Sequence, residues 1–173
     1  MNLHVVAYPQ LSAADMERIQ LCRKEHNSLY HMIGAHFTLV FSVPDMPLEV
    51  FSVEVRKQVH GYKSIPFTFR CAVINRDAIS GHYDAFLVPD EGHSAIYKLH
   101  DQLYSDKLAY QHRLDISYIP HLSIASNSDP LVIKKIVNEW NAQPFAISGT
   151  ITTLDIINYE NRIISTVERV MLG

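Results

Sequence analysis

The sequence predicts a mixed fold of helices and strands built from two similar halves, which form two lobes of one domain over residues 1–173. The order strand, helix, strand, helix, strand occurs twice along the chain. Matching positions have similar spacing, since His36 and His121 lie 85 positions apart and Pro47 and Pro130 lie 83 positions apart. A repeated order of elements is typical of an internal duplication. We therefore expect the two lobes to pack about an approximate two-fold axis.

The first half is expected to contain three strands and two helices. Its first apolar run ends at Pro9, and Ser12 followed by Asp15 is typical of a helix N-cap. After Pro47, apolar residues recur at helical spacing, which favours a helix, although residues 51–55 also alternate as a strand would. The expected elements are a strand at 3–8, a helix at 13–27, a strand at 36–42, a helix that begins at Pro47 and a strand at 67–74.

The second half repeats this order and adds a final strand. Asp129 followed by Pro130 is typical of a helix start, and Trp140 falls on the buried stripe of that helix. The expected elements are a strand at 82–88, a helix at 94–108, a strand at 119–125, a helix that begins at Pro130, a strand region at 145–157, a turn at 158–161 and a strand at 163–171.

Charge and composition limit the partners of this chain. The formal net charge is −3 and the isoelectric point is about 6.3. A broad grip on nucleic acid needs a basic face, so no extended nucleic-acid surface is expected, although one terminal phosphate could still be recognised. The ten histidines provide candidates for proton transfer near neutral pH.

Several features indicate where the protein works. No stretch approaches roughly 18 uninterrupted apolar residues, so we expect no membrane partner. The first residues lack a basic segment and are typical of a strand rather than a secretion signal. Cys22 and Cys71 are isolated and lack CxxC spacing, so both are expected to be partly buried thiols in a reducing compartment. We expect a cytoplasmic monomer.

Two histidine segments carry the chemistry. Successive strand residues point to opposite faces, so His36 and His121 each share a face with a hydroxyl residue two positions later. The expected polar faces carry His36, Thr38 and Val40 in one lobe and His121, Ser123 and Ala125 in the other, whereas Phe37, Leu39, Phe41, Leu122 and Ile124 face the core. A two-fold axis would bring the two polar sets opposite each other.

Two imidazoles and two hydroxyls suit displacement at a phosphodiester without a metal. The reaction needs a base to activate the attacking oxygen and an acid to protonate the leaving oxygen. One neutral and one protonated histidine supply both. Hydroxyl groups can donate hydrogen bonds to the non-bridging oxygens, where negative charge develops.

The evidence for a catalytic site comes from the two motifs together and not from either one alone. Ten histidines produce about one His-x-Ser/Thr by chance, so a single match is weak. His26-Asn27-Ser28 is interpreted as such a chance match at a polar helix end. The other two matches share a strand context, a face pattern and a place in the duplicated order.

His36-Phe37-Thr38 and His121-Leu122-Ser123 resemble the paired HxT/S motifs of the 2H phosphoesterases, a superfamily that includes 2′–5′ RNA ligase-like proteins and cyclic phosphodiesterases. The resemblance implies an α+β fold with two antiparallel sheets flanking a central cleft and helices outside. It implies hydrolysis of a 2′,3′-cyclic phosphate, on an RNA end or a small nucleotide, to a 2′-phosphate, with no metal or cofactor. His36 and His121 would be the acid–base pair, and Thr38 and Ser123 would bind phosphate oxygens.

Other residues are weaker candidates. Tyr118 precedes the second motif and either lines the cleft, where it could stack on a base, or packs at a strand edge. Tyr8 is expected to pack in the core, although it could flank the cleft. Arg70 and Arg113 could pair with a terminal phosphate, but a solvated position is expected for both.

Three alternatives remain open from the sequence. The cleft could bind a nucleotide or an RNA end without turnover. It could act on 2′–5′ linkages as a ligase or phosphodiesterase. A two-histidine metal hydrolase is the third alternative, but no third ligand has convincing metal spacing.

Overall fold

The computed structural model describes residues 1–173 and contains nine strands, four α-helices and one 3₁₀ helix. In chain order, the elements are β1 (Asn2–Ala7), β2 (Gln10–Leu11), α1 (Ala13–His26), β3 (Phe37–Pro44), α2 (Leu48–Val59), β4 (Ile65–Arg76), β5 (Tyr83–Glu91), α3 (His93–Leu103), the 3₁₀ helix (Asp106–Gln111), β6 (Leu122–Asn127), α4 (Pro130–Asn141), β7 (Ile147–Ile151), β8 (Thr153–Glu160) and β9 (Ile163–Met171). None of the helices is long and apolar enough to cross a membrane.

The strands form two antiparallel sheets, as the resemblance implied. Sheet 1 has the order β3-β1-β8-β9, and sheet 2 has the order β2-β7-β4-β5-β6. β3 and β6, which follow the two histidines directly, are both edge strands. The α+β fold class and the internal pseudo-duplication are confirmed.

The two halves of the sequence exchange elements in space. The strand that ends the first half, β4, pairs with β5 of the second half, whereas β8 from the C-terminal part pairs with β1. The helices cross over in the same way, because α1 packs against β6 and α3 packs against β3. Each lobe therefore contains segments from both halves of the chain.

A single large core connects the lobes. It comprises 35 buried residues drawn from both sheets and all four α-helices. The helix stripes follow the expected spacing, with Phe51, Val55 and Trp140 all buried. The N-cap of α1 is confirmed, because the Asp15 backbone N–H donates to Ser12 Oγ at 3.1 Å.

Both motif strands contain a β-bulge just after the hydroxyl residue. The register places Val6 and Val5 opposite Thr38 and Val40, and Phe86 and Ala85 opposite Ser123 and Ala125. Leu39 and Ile124 are therefore extra residues without a partner across the ladder. Strict alternation put Val40 and Ala125 on the polar face, and this was wrong because each bulge turns the next side chain into the core.

The C-terminal strands differ from the expectation. The region 145–157 is not one strand, because β7 lies in sheet 2 and β8 lies in sheet 1, with Thr152 between them. The final turn lies at Asn161 and Arg162 rather than at 158–161. Both residues have positive φ, 52° and 63°, as a two-residue hairpin turn requires.

Two smaller expectations were also wrong, and one strand was not expected. The helix expected at 94–108 ends at Leu103, and the 3₁₀ helix Asp106–Gln111 follows it. The short strand β2 was not expected. Cys71 is exposed rather than partly buried, whereas Cys22 is half-buried and accepts a hydrogen bond from Trp140 Nε1 at 3.5 Å.

Candidate active site

The four motif residues line one small cavity. His36 and Thr38 come from β3 and the residue before it, and His121 and Ser123 come from the matching position at β6. The remaining lining residues are Arg23, Asn27, Leu29 and Ile33. The cavity volume is about 40 Å³, which is room for a group of a few heavy atoms on the scale of a phosphate.

The two imidazoles are held in the same way. Nδ1 of His36 donates to the Gly34 carbonyl at 2.8 Å, and Nδ1 of His121 donates to the Ile119 carbonyl at 2.6 Å. A carbonyl can only accept, so each Nδ1 carries a proton. The Nε2 atom of each neutral ring therefore carries the lone pair that can take up a proton.

Burial lowers the pKa of both histidines. The pKa of His121 falls from 6.5 to about 4 through loss of hydration, only partly offset by its hydrogen bond to Ile119. The pKa of His36 also falls to about 4, mainly by loss of hydration, and the charges of Arg23 and His121 lower it further. Both rings are thus neutral at pH 7 in the free protein.

Aromatic side chains cover both rings. Phe86 stacks on His121 with 3.6 Å between ring centroids, and Tyr8 meets His36 edge-on at 6.2 Å. Phe86 lies opposite Ser123 in the sheet, so β5 places it against the second motif. Tyr8 is half-buried and flanks the site instead of lying in the core as expected.

Arg23 is the lining residue that the sequence analysis missed. Its side chain is buried, at 2% exposure, and no carboxylate lies within ion-pair distance of it. It donates to Gln20 Oε1 and to the Ile33 carbonyl, while its Nε has no partner. A buried cation without a counter-charge is unfavourable, so the cavity is arranged for an anion.

Asn27 links α1 to the second motif. Its Oδ1 accepts from the Leu29 backbone N–H at 2.9 Å, and its Nδ2 donates to Ser123 Oγ at 3.4 Å. Asn27 belongs to the His26-Asn27-Ser28 segment, but His26 itself lies in a groove between α1 and α4, outside the cavity. That groove is larger than the cavity, yet it contains only one histidine.

Tyr118 does not line the cavity. Its ring stacks on His100 at 3.5 Å, and its hydroxyl donates to the Thr38 carbonyl at 3.0 Å. The contact with Thr38 shows that the segment before β6 lies against the free edge of β3. The geometry thus matches packing at a strand edge, the second of the two alternatives for Tyr118.

Arg70 and Arg113 lie at the surface as expected. Arg70 forms ion pairs with Asp90 and Glu91, and Arg113 pairs with Asp115. The cavity itself is lined by no carboxylate, and the charge of Arg23 acts on His36. These side chains suit an anion better than a metal cation. A zinc ion, for example, usually takes three protein ligands, and the cavity offers two histidines.

Two antiparallel sheets and two strand-borne His-x-Ser/Thr motifs around one cavity define a 2H phosphoesterase fold. A family model described as the 2′-5′ RNA ligase superfamily matches residues 8–162. The chain therefore belongs to this superfamily. No curated protein sequence matches the chain.

Solved structures with low sequence identity share the fold over almost the whole chain. Escherichia coli LigT complexed with 3′-AMP has a TM-score of 0.62 at 16% identity, over 99% of this chain and 98% of that one. TT0787 of Thermus thermophilus gives 0.63 at 13% identity, over 99% and 98%. Kluyveromyces marxianus Usb1 with uridine monophosphate gives 0.55 at 11% identity, also over 99% and 98%.

Proposed function

We propose that this protein is a metal-independent phosphoesterase that hydrolyses a 2′,3′-cyclic phosphate, on an RNA end or a small nucleotide, to a 2′-phosphate. One observation carries the proposal. His36, Thr38, His121 and Ser123 line one cavity, and both rings donate through Nδ1 to the backbone. The reactive Nε2 atoms of an acid–base pair are thereby left free of the backbone.

The proposed step needs one neutral and one protonated ring. Nε2 of the neutral histidine takes a proton from water as the water oxygen forms a bond to phosphorus. The bond from phosphorus to the 3′ oxygen breaks, and the protonated histidine gives its Nε2 proton to that oxygen. The protonation states of the two rings are then reversed, and one proton exchange with solvent restores them.

The remaining cavity residues stabilise charge. The Thr38 and Ser123 hydroxyls would donate to the non-bridging oxygens, and Asn27, which donates to Ser123 Oγ, would orient that hydroxyl. Arg23 would offset the phosphate charge in a site with little water. The phosphate in turn would favour protonation of one imidazole, which stays neutral in the free protein.

Arg23 also distinguishes the two histidines. Its charge lowers the pKa of His36, whereas the pKa of His121 is lowered by burial alone. A proton added to the pair would therefore favour His121. We assign His121 as the acid and His36 as the base in the hydrolytic direction.

The proposed ligand class is consistent with the relatives. The LigT structure contains 3′-AMP and the Usb1 structure contains uridine monophosphate. A nucleotide phosphate fits the cavity of this chain in size and charge, with the ribose and base lying outside it. The net charge of −3 gives no reason to expect a long nucleic-acid track.

A substrate panel tests the proposal. It comprises 2′,3′-cyclic mononucleotides, RNA ending in a cyclic phosphate and 2′–5′ linked oligoadenylate, each with excess chelator. We expect turnover of a cyclic phosphate, with the 2′-phosphate identified against 2′- and 3′-nucleotide standards. Formation of the 3′-phosphate would contradict the proposed chemistry, and so would loss of turnover with chelator in a His112→Gln protein that is folded.

Binding without turnover is the second candidate, and one observation favours it. Both histidines have a pKa of about 4, so the free protein holds no acid at pH 7. Incubating the protein with a cyclic nucleotide, and measuring both binding and product, distinguishes the two candidate functions. Tight binding with no product over many hours would support the binding module.

A further inference from the structure

A second histidine cluster lies on the outer side of β3, at the C-terminal end of α3. His100 and Asp101 belong to α3, and His112 follows the 3₁₀ helix. One potential ligand atom from each residue lies within 4.8 Å of the others. None of the three lines the cavity of His36 and His121. The cluster is therefore separate from the proposed active site.

His100 presents an unused lone pair inside the protein. Its side chain is buried, with 1% exposure, and Nδ1 donates to the Leu39 carbonyl at 2.8 Å. Its Nε2 has no hydrogen-bond partner. Histidines that bind metals usually donate their other ring N–H to a carbonyl in this way, which fixes the tautomer and the ring orientation.

The neighbouring rings hold the cluster in place. His100 stacks on Tyr118 at 3.5 Å, and His112 stacks on Tyr104 at 4.5 Å. The two imidazoles lie 5.3 Å apart at 75°. Ligands of a tetrahedral zinc ion lie about 3.3 Å from one another. The ligand atoms of the three residues would therefore have to approach one another by at most about 1.5 Å. Rotation of the exposed Asp101 side chain and the half-buried His112 side chain can provide this movement.

We propose that His100, Asp101 and His112 bind one divalent transition-metal ion, with Zn²⁺ as the best match. Two imidazole nitrogens and one carboxylate oxygen form a borderline ligand set that suits zinc, with water completing a four-coordinate site. The unpaired Nε2 of His100 becomes the anchoring ligand. The carboxylate supplies the negative charge that a divalent ion needs.

This metal ion would tie two segments, α3 and the residue after the 3₁₀ helix, to the edge of the first motif strand. His100 and the two tyrosines that stack on the cluster, Tyr118 and Tyr104, already supply side-chain partners to the free backbone edge of β3. Tyr118 donates to the Thr38 carbonyl, His100 donates to the Leu39 carbonyl, and the Phe41 N–H donates to Tyr104 Oη. A bound ion would fix the His100 and His112 rings, on which Tyr118 and Tyr104 stack. Its role is structural, and it takes no part in the phosphate chemistry.

Metal titration of the full chain tests the site. Protein stripped with chelator and dialysed is titrated with Zn²⁺ by calorimetry and with Co²⁺ by visible absorption. We expect one tight site per chain, a four-coordinate Co²⁺ spectrum, and a rise in melting temperature of about 5–10 °C at a hundredfold excess of Zn²⁺ over Kd. Asp101→Asn should weaken Zn²⁺ binding at least tenfold, and His112→Gln should abolish it.

Matched controls separate this site from other histidines. His60→Gln, at an exposed helix end, should bind Zn²⁺ as the unaltered protein does. His121→Ala should also keep the tight site, because that histidine belongs to the other cavity. Circular dichroism checks that each variant is folded. Equal binding by folded wild-type, Asp101→Asn and His112→Gln proteins would overturn the proposal, as would loss of the site in His121→Ala.

Discussion

The protonation of His36 and His121 provides the most detailed prediction. With both pKa values lowered from 6.5 to about 4, each ring is protonated in about one free molecule in a thousand at pH 7. Acid–base catalysis needs one proton on the pair. The bound phosphate must therefore raise one pKa by about 3 units, equivalent to about 4 kcal/mol.

A single phosphate charge can supply this free energy. Two unit charges about 4 Å apart interact by about 4 kcal/mol at an effective dielectric constant of about 20. The required shift and the available attraction therefore agree. Since Arg23 disfavours the proton on His36, the raised pKa should belong to His121.

Two-dimensional NMR of the imidazole Cε1–H groups measures this directly. His36→Gln and His121→Gln variants assign the two signals. In the free protein, both signals should stay in the neutral position down to about pH 5. A nucleoside 2′-monophosphate should move the His121 midpoint to near 7. The reasoning fails if either free ring titrates near 6.5, or if the ligand moves neither midpoint.

Three further predictions concern neighbouring groups. Thr38→Val and Ser123→Ala should each lower kcat by about 10²-fold with little change in unfolding by urea; full turnover in either would remove that hydroxyl from the mechanism. Arg23→Gln should weaken product binding measured by calorimetry and raise the pKa of His36, with partial recovery of binding in Arg23→Lys; unchanged affinity would show that Arg23 does not meet the phosphate. The folded-state pKa of His36, His100 and His121 lies below the unfolded value, so the folded protein binds fewer protons below pH 6.5. The free energy of unfolding should therefore be highest above pH 6.5 and fall towards pH 4, with a loss of about 2 kcal/mol per histidine at pH 5. Urea midpoints that do not change between pH 7 and 5 would contradict this.

The bell-shaped dependence of rate on pH follows from the same groups. The limbs of kcat/KM report the free protein, and those of kcat report the complex. Because the phosphate raises the pKa of the pair, the optimum of kcat should lie at higher pH than that of kcat/KM. The apparent values belong to the coupled pair rather than to either histidine alone.

The sequence predicted which four motif residues come together better than it predicted the tertiary arrangement. Residue periodicity identified the strands that directly follow His36 and His121, since an alternating pattern marks a strand whatever sheet it joins. The same pattern does not say which sheet a strand joins. The sequence therefore indicated one strand region at 145–157. In the structure, Thr152 separates β7 from β8, and the two strands join different sheets.

The bulges limited the prediction of side-chain direction. Leu39 and Ile124 each add one residue to a motif strand, and the next side chain turns inward. Nothing in the apolar pattern separates a bulge from regular pairing, because Val40 and Ala125 are small apolar residues that suit either face.

The sequence contains a signal for the role of Arg23. It lies four residues after the buried Ile19 on α1, so it falls on the stripe that packs inward. A cation on a buried helix stripe, without a carboxylate in reach, indicates an anion site. Arg23 lies near the second motif because α1 packs against β6, a strand from the other half of the chain. The order of elements alone did not predict this exchange of helices between lobes.

Single-turnover hydrolysis of a 2′,3′-cyclic mononucleotide tests most directly whether two imidazoles act on one phosphate. The comparison uses His36→Ala, His121→Ala and the exposed control His60→Ala at equal folded concentrations. Each cavity variant should be about 10²–10⁴-fold slower while the control keeps the wild-type rate. A cavity variant that cleaves as fast as the wild-type protein would contradict the two-histidine mechanism.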